Sequence, residues 1–204
     1  QTGLVLAAGD AAKLTVTAQP QTITAGSTFG TAVKVEVQDA WGNKVSSNAT
    51  VSASLVDGVD KTTAVSDSNA TNTSATPDSN GVATFTGMTF AKAGQVRIKF
   101  VAGSYITYSD AFYVSPAAPH HIAWVADPQS TVVTRATMTT APVAEIRDQY
   151  ENAVTFGYSA TATLGTNNSV NVINNASRTA VAGQFTFSNV SVGALIGNYK
   201  FTIA

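Results

Sequence analysis

Leu14-Thr15-Val16-Thr17-Ala18-Gln19-Pro20 returns, at an offset of 108, as Ile122-Ala123-Trp124-Val125-Ala126-Asp127-Pro128. Val35-Glu36-Val37-Gln38-Asp39-Ala40-Trp41-Gly42-Asn43-Lys44-Val45 is answered, at an offset of 109, by Ala144-Glu145-Ile146-Arg147-Asp148-Gln149-Tyr150-Glu151-Asn152-Ala153-Val154. Gly81-Val82-Ala83-Thr84-Phe85 and Gly183-Gln184-Phe185-Thr186-Phe187 stand 102 apart, and Gly94-Gln95-Val96-Arg97-Ile98-Lys99-Phe100 meets Gly197-Asn198-Tyr199-Lys200-Phe201-Thr202-Ile203 at 103. Four blocks in one order are two copies of one unit, so the fold has to be one that can be built twice in 204 residues. The drop from 109 to 102 predicts a seven-residue deletion in the second copy, opposite the polar stretch from Asp67 to Asn80 of the first.

The blocks read as strands. Val33, Val35 and Val37 alternate with Lys34, Glu36 and Gln38, and Val96, Ile98 and Phe100 alternate with Arg97 and Lys99. A period of two turns every second side chain to a core and its neighbours to solvent. Turn residues separate such runs at sandwich spacing, and no stretch sustains the 3.6-residue period of a helix. The expectation is all-β: two tandem immunoglobulin-like β-sandwiches of seven strands each, the second lacking its final strand. The organisation is a spare strand in residues 1–10, a first sandwich in 11–116 and an incomplete second in 117–204, joined through Ser115-Pro116-Ala117-Ala118-Pro119.

Asp39-Ala40-Trp41-Gly42-Asn43-Lys44-Val45, then Gly81-Val82-Ala83-Thr84-Phe85, then Gly94-Gln95-Val96 resembles the bacterial immunoglobulin-like repeats of the invasin and intimin type. The second copy keeps Asp148 and Asn152 but has Glu151 in the place of the glycine. The resemblance spans nearly the whole chain and implies the sandwich fold and membership in surface fibres or adhesin stalks, where such domains are commonly spacers.

The phase of the repeat is unusual. Asp110 to Pro116 alternates as a closing strand of the first copy should, and at the offset of 108 Phe112 falls back on Leu4, Val114 on Leu6 and Pro116 on Ala8. Thr2, Gly3, Leu4, Val5, Leu6, Ala7 and Ala8 thus read as a closing strand with no sandwich before it, while the second copy stops short of its own. An unclosed sandwich invites an extended segment to pair with its edge. Two expectations follow: Thr2–Ala8 of one copy completes the second sandwich of the next and builds a head-to-tail filament, or the chain is a cut from a longer repeat array. Gln1, without an initiator Met or a basic leader, suits a processed product or a piece of something longer.

Composition narrows the partners. Charged residues make up 11% of the chain against roughly 25% in average soluble proteins. Lys and Arg are few and balanced by acids, which argues against nucleic acid as a partner, and no apolar run reaches the roughly 20 residues of a membrane helix. There is no cysteine, so no disulfide, thiol chemistry or thiolate metal site.

Asp39, Gly42, Asn43, Asp148 and Asn152 read as structural turns, because one carboxylate beside an amide falls far short of the six to eight oxygens of calcium. His120 and His121 lack a third ligand and, as neighbours on an extended linker, point apart. No metal or cofactor is expected. Glu36 and Glu145 are one position seen twice, so they cannot form a carboxylate pair, and no enzyme is expected. Trp41 and Tyr150 share a turn position where a ring can pack or stack on a sugar, and their repetition favours packing. Asn48, Asn69, Asn72, Asn167, Asn175 and Asn189 head Asn-x-Ser/Thr sequons and are candidate glycosylation sites.

These readings describe an extracellular, cell-surface structural subunit or stalk segment. Its partners are other copies of itself or neighbouring repeats. The alternative is an adhesin module that binds a glycan or host protein through Trp41, Tyr150 or the loop from Asp57 to Asn80.

Overall fold

The computed structural model describes residues 3–155, 160–166, 172–193 and 200–203. The chain is all-β, with no helix among the described residues. It folds as two compact units, Gln1–Pro116 and Ala117–Ala204.

Unit 1 contains β1 (Lys13–Ala18), β2 (Ile23–Thr24), β3 (Val33–Gln38), β4 (Val51–Asp57), β5 (Ser74–Ala75), β6 (Val82–Phe85), β7 (Gly94–Ala102), β8 (Tyr105–Tyr108) and β9 (Phe112–Ser115). One layer has the order β1-β3-β6 and the other β2-β9-β7-β4-β5, with β8 folded back on β7. The alternation seen in the sequence becomes burial: Val33, Val35 and Val37 face inward from β3, and Val96, Ile98 and Phe100 from β7. Phe85 and Phe100 bridge the layers with ring centroids 5.1 Å apart. The closing strand β9 pairs antiparallel with β7, Phe112 opposite Val96, and parallel with β2, Val114 beside Ile23. Phe112 and Val114 are buried, Phe112 edge-on to Phe29 at 5.5 Å, while Tyr113 points outward.

Unit 2 contains β10 (Pro119–Ala126), β11 (Val143–Asp148), β12 (Thr161–Thr166), β13 (Val172–Asn174), β14 (Ser177–Thr179), β15 (Gln184–Thr186), β16 (Ser191–Gly193) and β17 (Phe201–Ile203). Its ladders run β10-β11-β15, β14-β12-β17 and β13-β16. Repetition reaches fine detail. The first strand bulges at Val16/Ala18 in one unit and at Trp124/Ala126 in the other. Thr28 bridges Thr89 as Thr137 bridges Ser191, and Gly26 N–H donates to Phe90 O as Arg135 N–H does to Val192 O. Among the described residues the expected seven strands become nine and eight, because in unit 1 two-residue edge ladders such as β2 and β5, and the hairpin return β8, count as strands of their own.

Three expectations shift. Thr71 bridges Thr89 as Asn174 pairs with Ser191, so Thr71 and Asn174 are equivalent and already show the shorter offset; the second unit is therefore shortened mainly between Asp57 and Thr71, which overlaps only the start of the stretch expected. That part of unit 1 is an exposed loop, which can shorten without disturbing a core. The offset of 109 would set Leu164 in the place of Leu55, yet Leu164 N–H donates to Ala176 O as Ala53 N–H does to Thr73 O, and Leu164 lies opposite Ile203 as Ala53 lies opposite Phe100, so β12 is displaced by two while β17 keeps its offset of 103. A slip of two leaves every side chain on its own face, so burial does not resist it. Finally, His120 and His121 lie in β10 rather than in a linker, and a register shift between Pro119 and His121 brings their Nδ1 atoms to 3.3 Å. Such a bulge breaks the alternation that would have pointed them apart.

Candidate functional site

Each unit carries the same aspartate clasp at the end of its third-strand equivalent. Asp39 closes β3, and its Oδ1 accepts the backbone N–H groups of Trp41 at 2.9 Å and Asn43 at 2.8 Å. Its Oδ2 accepts Asn43 Nδ2 at 2.9 Å and Gly9 N–H at 3.0 Å. Asp148 repeats this with Tyr150 and Asn152 N–H on Oδ1, both at 2.9 Å, and Asn152 Nδ2 at 2.9 Å and Ala117 N–H at 2.8 Å on Oδ2. Both aspartates are buried. The carboxylate is thus the acceptor for a tight turn and also for the chain segment arriving at the unit's first strand.

Side-chain donation from Asn43, then the N–H of Gly9, hold the Asp39 carboxyl down at about 2. At Asp148 burial pushes upward, and the donors from Asn152, Ala117 and Tyr150 together outweigh it, leaving the carboxyl below its ordinary range. Gly42 adopts φ 92° in the first turn, and Glu151 adopts φ 65° at the same place in the second. A non-glycine residue there is strained, and Glu151 Oε atoms meet Arg147 Nη1 at 3.0 Å and His121 Nε2 at 3.2 Å. Asp39, Gly42, Asn43, Asp148 and Asn152 therefore sit in structural turns.

Above the first clasp, Gly3 to Ala8 are exposed and take part in no ladder. Leu4, Val5 and Leu6 are 87%, 88% and 87% exposed. This segment precedes Gly9 and the Asp39 clasp as β9 precedes Ala117 and the Asp148 clasp. Thr2 lies outside the described residues.

Trp41 is 91% exposed, so the packing expected of it does not occur, whereas Tyr150 is half-buried. Glu36 pairs with Lys44 at 2.8 Å and Glu145 with Arg147 at 2.9 Å, each within its own unit. No group of three His, Asp or Glu side chains suited to a metal occurs among the described residues, and no described helix is long and apolar enough to cross a membrane.

Of the sequon residues, Asn48, Asn69, Asn72, Asn175 and Asn189 are exposed, and Asn167 lies outside the described residues. Asn72 and Asn175 share a further role: each has positive φ and donates its amide across a loop, to Gly87 O at 2.8 Å and to Asn189 O at 2.9 Å. Sequence reasoning missed this tie, although two asparagines at matched places in the repeat were its signal. It also missed Asp67, whose carboxylate accepts the N–H of Ala91 at 2.6 Å and of Lys92 at 3.1 Å. Asp67 has no partner in the repeat alignment to draw attention to it.

No protein-family model and no curated protein matches the chain. Among solved structures it is similar to the Yersinia pseudotuberculosis adhesin InvE, with 18% identity, 93% of this chain and 57% of that one covered, and a TM-score of 0.37. It is also similar to trypsin-activated alpha-2-macroglobulin from Escherichia coli, with 16% identity, coverage of 98% and 14%, and a TM-score of 0.36. For the S-layer protein SbsC the identity is 15%, the coverage 96% and 26%, and the TM-score 0.30. The chain spans little more than half of the first of these proteins and about a quarter or less of the others.

Proposed function

We propose that this chain is a structural segment of an extracellular cell-surface filament or adhesin stalk, joined head to tail by donation of the strand at Thr2–Ala8. The observation that carries this reading is the state of Leu4, Val5 and Leu6: strand-forming residues, nearly fully exposed, unladdered, and placed before their clasp as the buried strand β9 is placed before the next one. Exposed apolar backbone of this kind gains hydrogen bonds and burial by adding to a sheet edge. A surface solvated by hydroxyls and amides, with 11% charge and no cysteine, suits such a role outside the cell.

The test is the state of assembly of the purified chain, followed by sedimentation and electron microscopy. Head-to-tail polymers that disperse when Leu4 and Leu6 are both changed to Asp support donation; a chain that stays monomeric at every concentration refutes it.

A second reading has one observation in its favour. Trp41, 91% exposed on a rigid turn, is a ring available for stacking on a sugar or a partner protein. Saturable binding on a glycan array, lost in Trp41→Ala, would support an adhesin module; equal binding by both chains would reject it.

A further inference from the structure

Unit 2 departs from unit 1 in three ways that meet at one spot. His121 lies opposite Arg147 as Lys13 lies opposite Gln38, so His120 and His121 stand where unit 1 has Ala12 and Lys13. Unit 1 enters this strand in regular register, whereas in unit 2 the register shifts between Pro119 and His121 and the two Nδ1 atoms come within 3.3 Å. The neighbouring turn holds Glu151 at φ 65° where unit 1 has Gly42. The sandwich requires none of the three, since unit 1 builds the same strand and the same turn without them. Bulges and left-handed non-glycine residues persist where a side chain has to be aimed.

Glu151 fixes how the histidine pair is protonated. One of its oxygens stands 3.2 Å from His121 Nε2 and the other accepts from Arg147 Nη1 at 3.0 Å, while Arg147 Nε donates to Glu145 Oε1 at 2.9 Å. A carboxylate only accepts, so Nε2 carries the proton of neutral His121 and Nδ1 keeps its lone pair. This carboxylate–histidine arrangement is the one that orients metal-binding imidazoles. His120 Nδ1 faces that lone pair. Two nitrogens bound at about 2.0–2.1 Å to a tetrahedral ion stand about 3.3–3.4 Å apart, which is the separation found.

We infer that His120 Nδ1 and His121 Nδ1 form a two-histidine site for a zinc ion, with Glu151 as the positioning residue behind His121. The ion replaces the proton that the two Nδ1 atoms share, and His120 then carries its proton on Nε2. Among the described residues no third His, Asp or Glu completes the set, so two positions of the tetrahedron are left to water or to a donor from a ligand. His120 is exposed and His121 half-buried, so the ion reaches the pair from solvent. Imidazole suits zinc, whereas magnesium and calcium take oxygen ligands. The inference lies within unit 2 and is independent of strand donation.

The chain contains two histidines, which makes the test direct. Zinc titrated into the untagged full chain should bind as one ion per chain in calorimetry, and both imidazoles should shift at Nδ1 in proton–nitrogen NMR spectra. Calcium at the same concentration should move neither. His120→Ala and His121→Ala should each abolish saturable binding at concentrations that fill the unaltered chain. Glu151→Gly gives the turn the glycine that unit 1 has and keeps both ligands. It should weaken zinc affinity roughly 10–100-fold and shift His121 toward its other tautomer in the nitrogen spectrum. No saturable zinc binding by the unaltered chain, binding that survives His120→Ala, or a shift at Nε2 in place of Nδ1 overturns the site. Unchanged affinity and tautomer in Glu151→Gly overturn the positioning role.

Discussion

Unit 1 and unit 2 share an inner frame and differ at one margin. Ala53 and Leu164 are 8% and 3% exposed, Val37 and Ile146 are 2% and 5%, and Phe85 and Phe187 are 1% and 0%. The same clasp, first-strand bulge and loop tie stand in both. The margin is the sheet edge that β8 and β9 cover in unit 1, where Ile23, Ile98 and Phe100 are buried while Val132, Phe201 and Ile203 remain half-buried. Two sandwiches with one frame therefore show what the closing strands do: they leave the centre of the core unchanged and decide whether its edge is sealed.

The largest effect expected from this contrast is at the two versions of the closing strand. Phe112→Ala should cost unit 1 roughly 3–5 kcal/mol, the usual loss for a buried phenylalanine packed on another ring. Leu4→Ala with Leu6→Ala should leave the unfolding of the monomer unchanged within about 0.5 kcal/mol, as at exposed positions generally. Denaturant unfolding of the two chains, read under monomeric conditions, checks both; a large loss in the second would mean that Leu4 and Leu6 already serve the core of their own chain.

Next in size is the clasp. Asp148→Ala leaves the part-buried N–H groups of Ala117 and Tyr150 and the buried N–H of Asn152 without this acceptor and should destabilise unit 2 by about 1–3 kcal/mol. Asp39→Ala should weaken unit 1 in the same direction. Calorimetry resolving the two units would show whether each clasp affects its own unit alone; coupled losses would break the equivalence of the pair.

The clasps also set an acid limit. The Asp39 carboxyl is lowered from 3.8 to about 2, so its contribution is complete above the ordinary carboxylate range and is lost as pH falls through about 2. Asp148 shifts in the same direction. Thermal midpoints should hold steady above about pH 4 and fall below it, and Asp39→Asn should flatten the part of that fall belonging to unit 1. An unaltered fall in the variant would remove Asp39 from the explanation.

The smallest effect separates the two turns. Glu151→Gly relieves a left-handed backbone strain of about 1–3 kcal/mol but removes the contact to His121 and an ion pair to Arg147 worth up to about 1 kcal/mol. The net change should be slight. Gly42→Glu gains the strain and would find one cation, Lys13, whose Nζ lies 4.0 Å from the added Cβ, so it should be net destabilising, and comparing the two melting temperatures checks the asymmetry.

Period-two runs such as Val33-Lys34-Val35-Glu36-Val37, repeated with their turns at constant spacing, determined from sequence alone that the chain is all-β and that its strands have matched equivalents. Burial follows alternation because successive side chains must leave a strand on opposite faces. The turn role of Asp39 and Asp148 was legible for a similar reason, since an aspartate followed by an asparagine four residues on caps its own turn. What only the tertiary structure decided involves groups that leave no mark in a sequence. The donors from Gly9 and Ala117 are backbone N–H groups, which every residue but proline carries. The place of β12 is displaced by two against the repeat, a shift invisible to a pattern of period two. The exposure of Leu4, Leu6 and Trp41 depends on which neighbours arrive, and an apolar residue reads the same in a sequence whether its pocket lies in its own chain or in another.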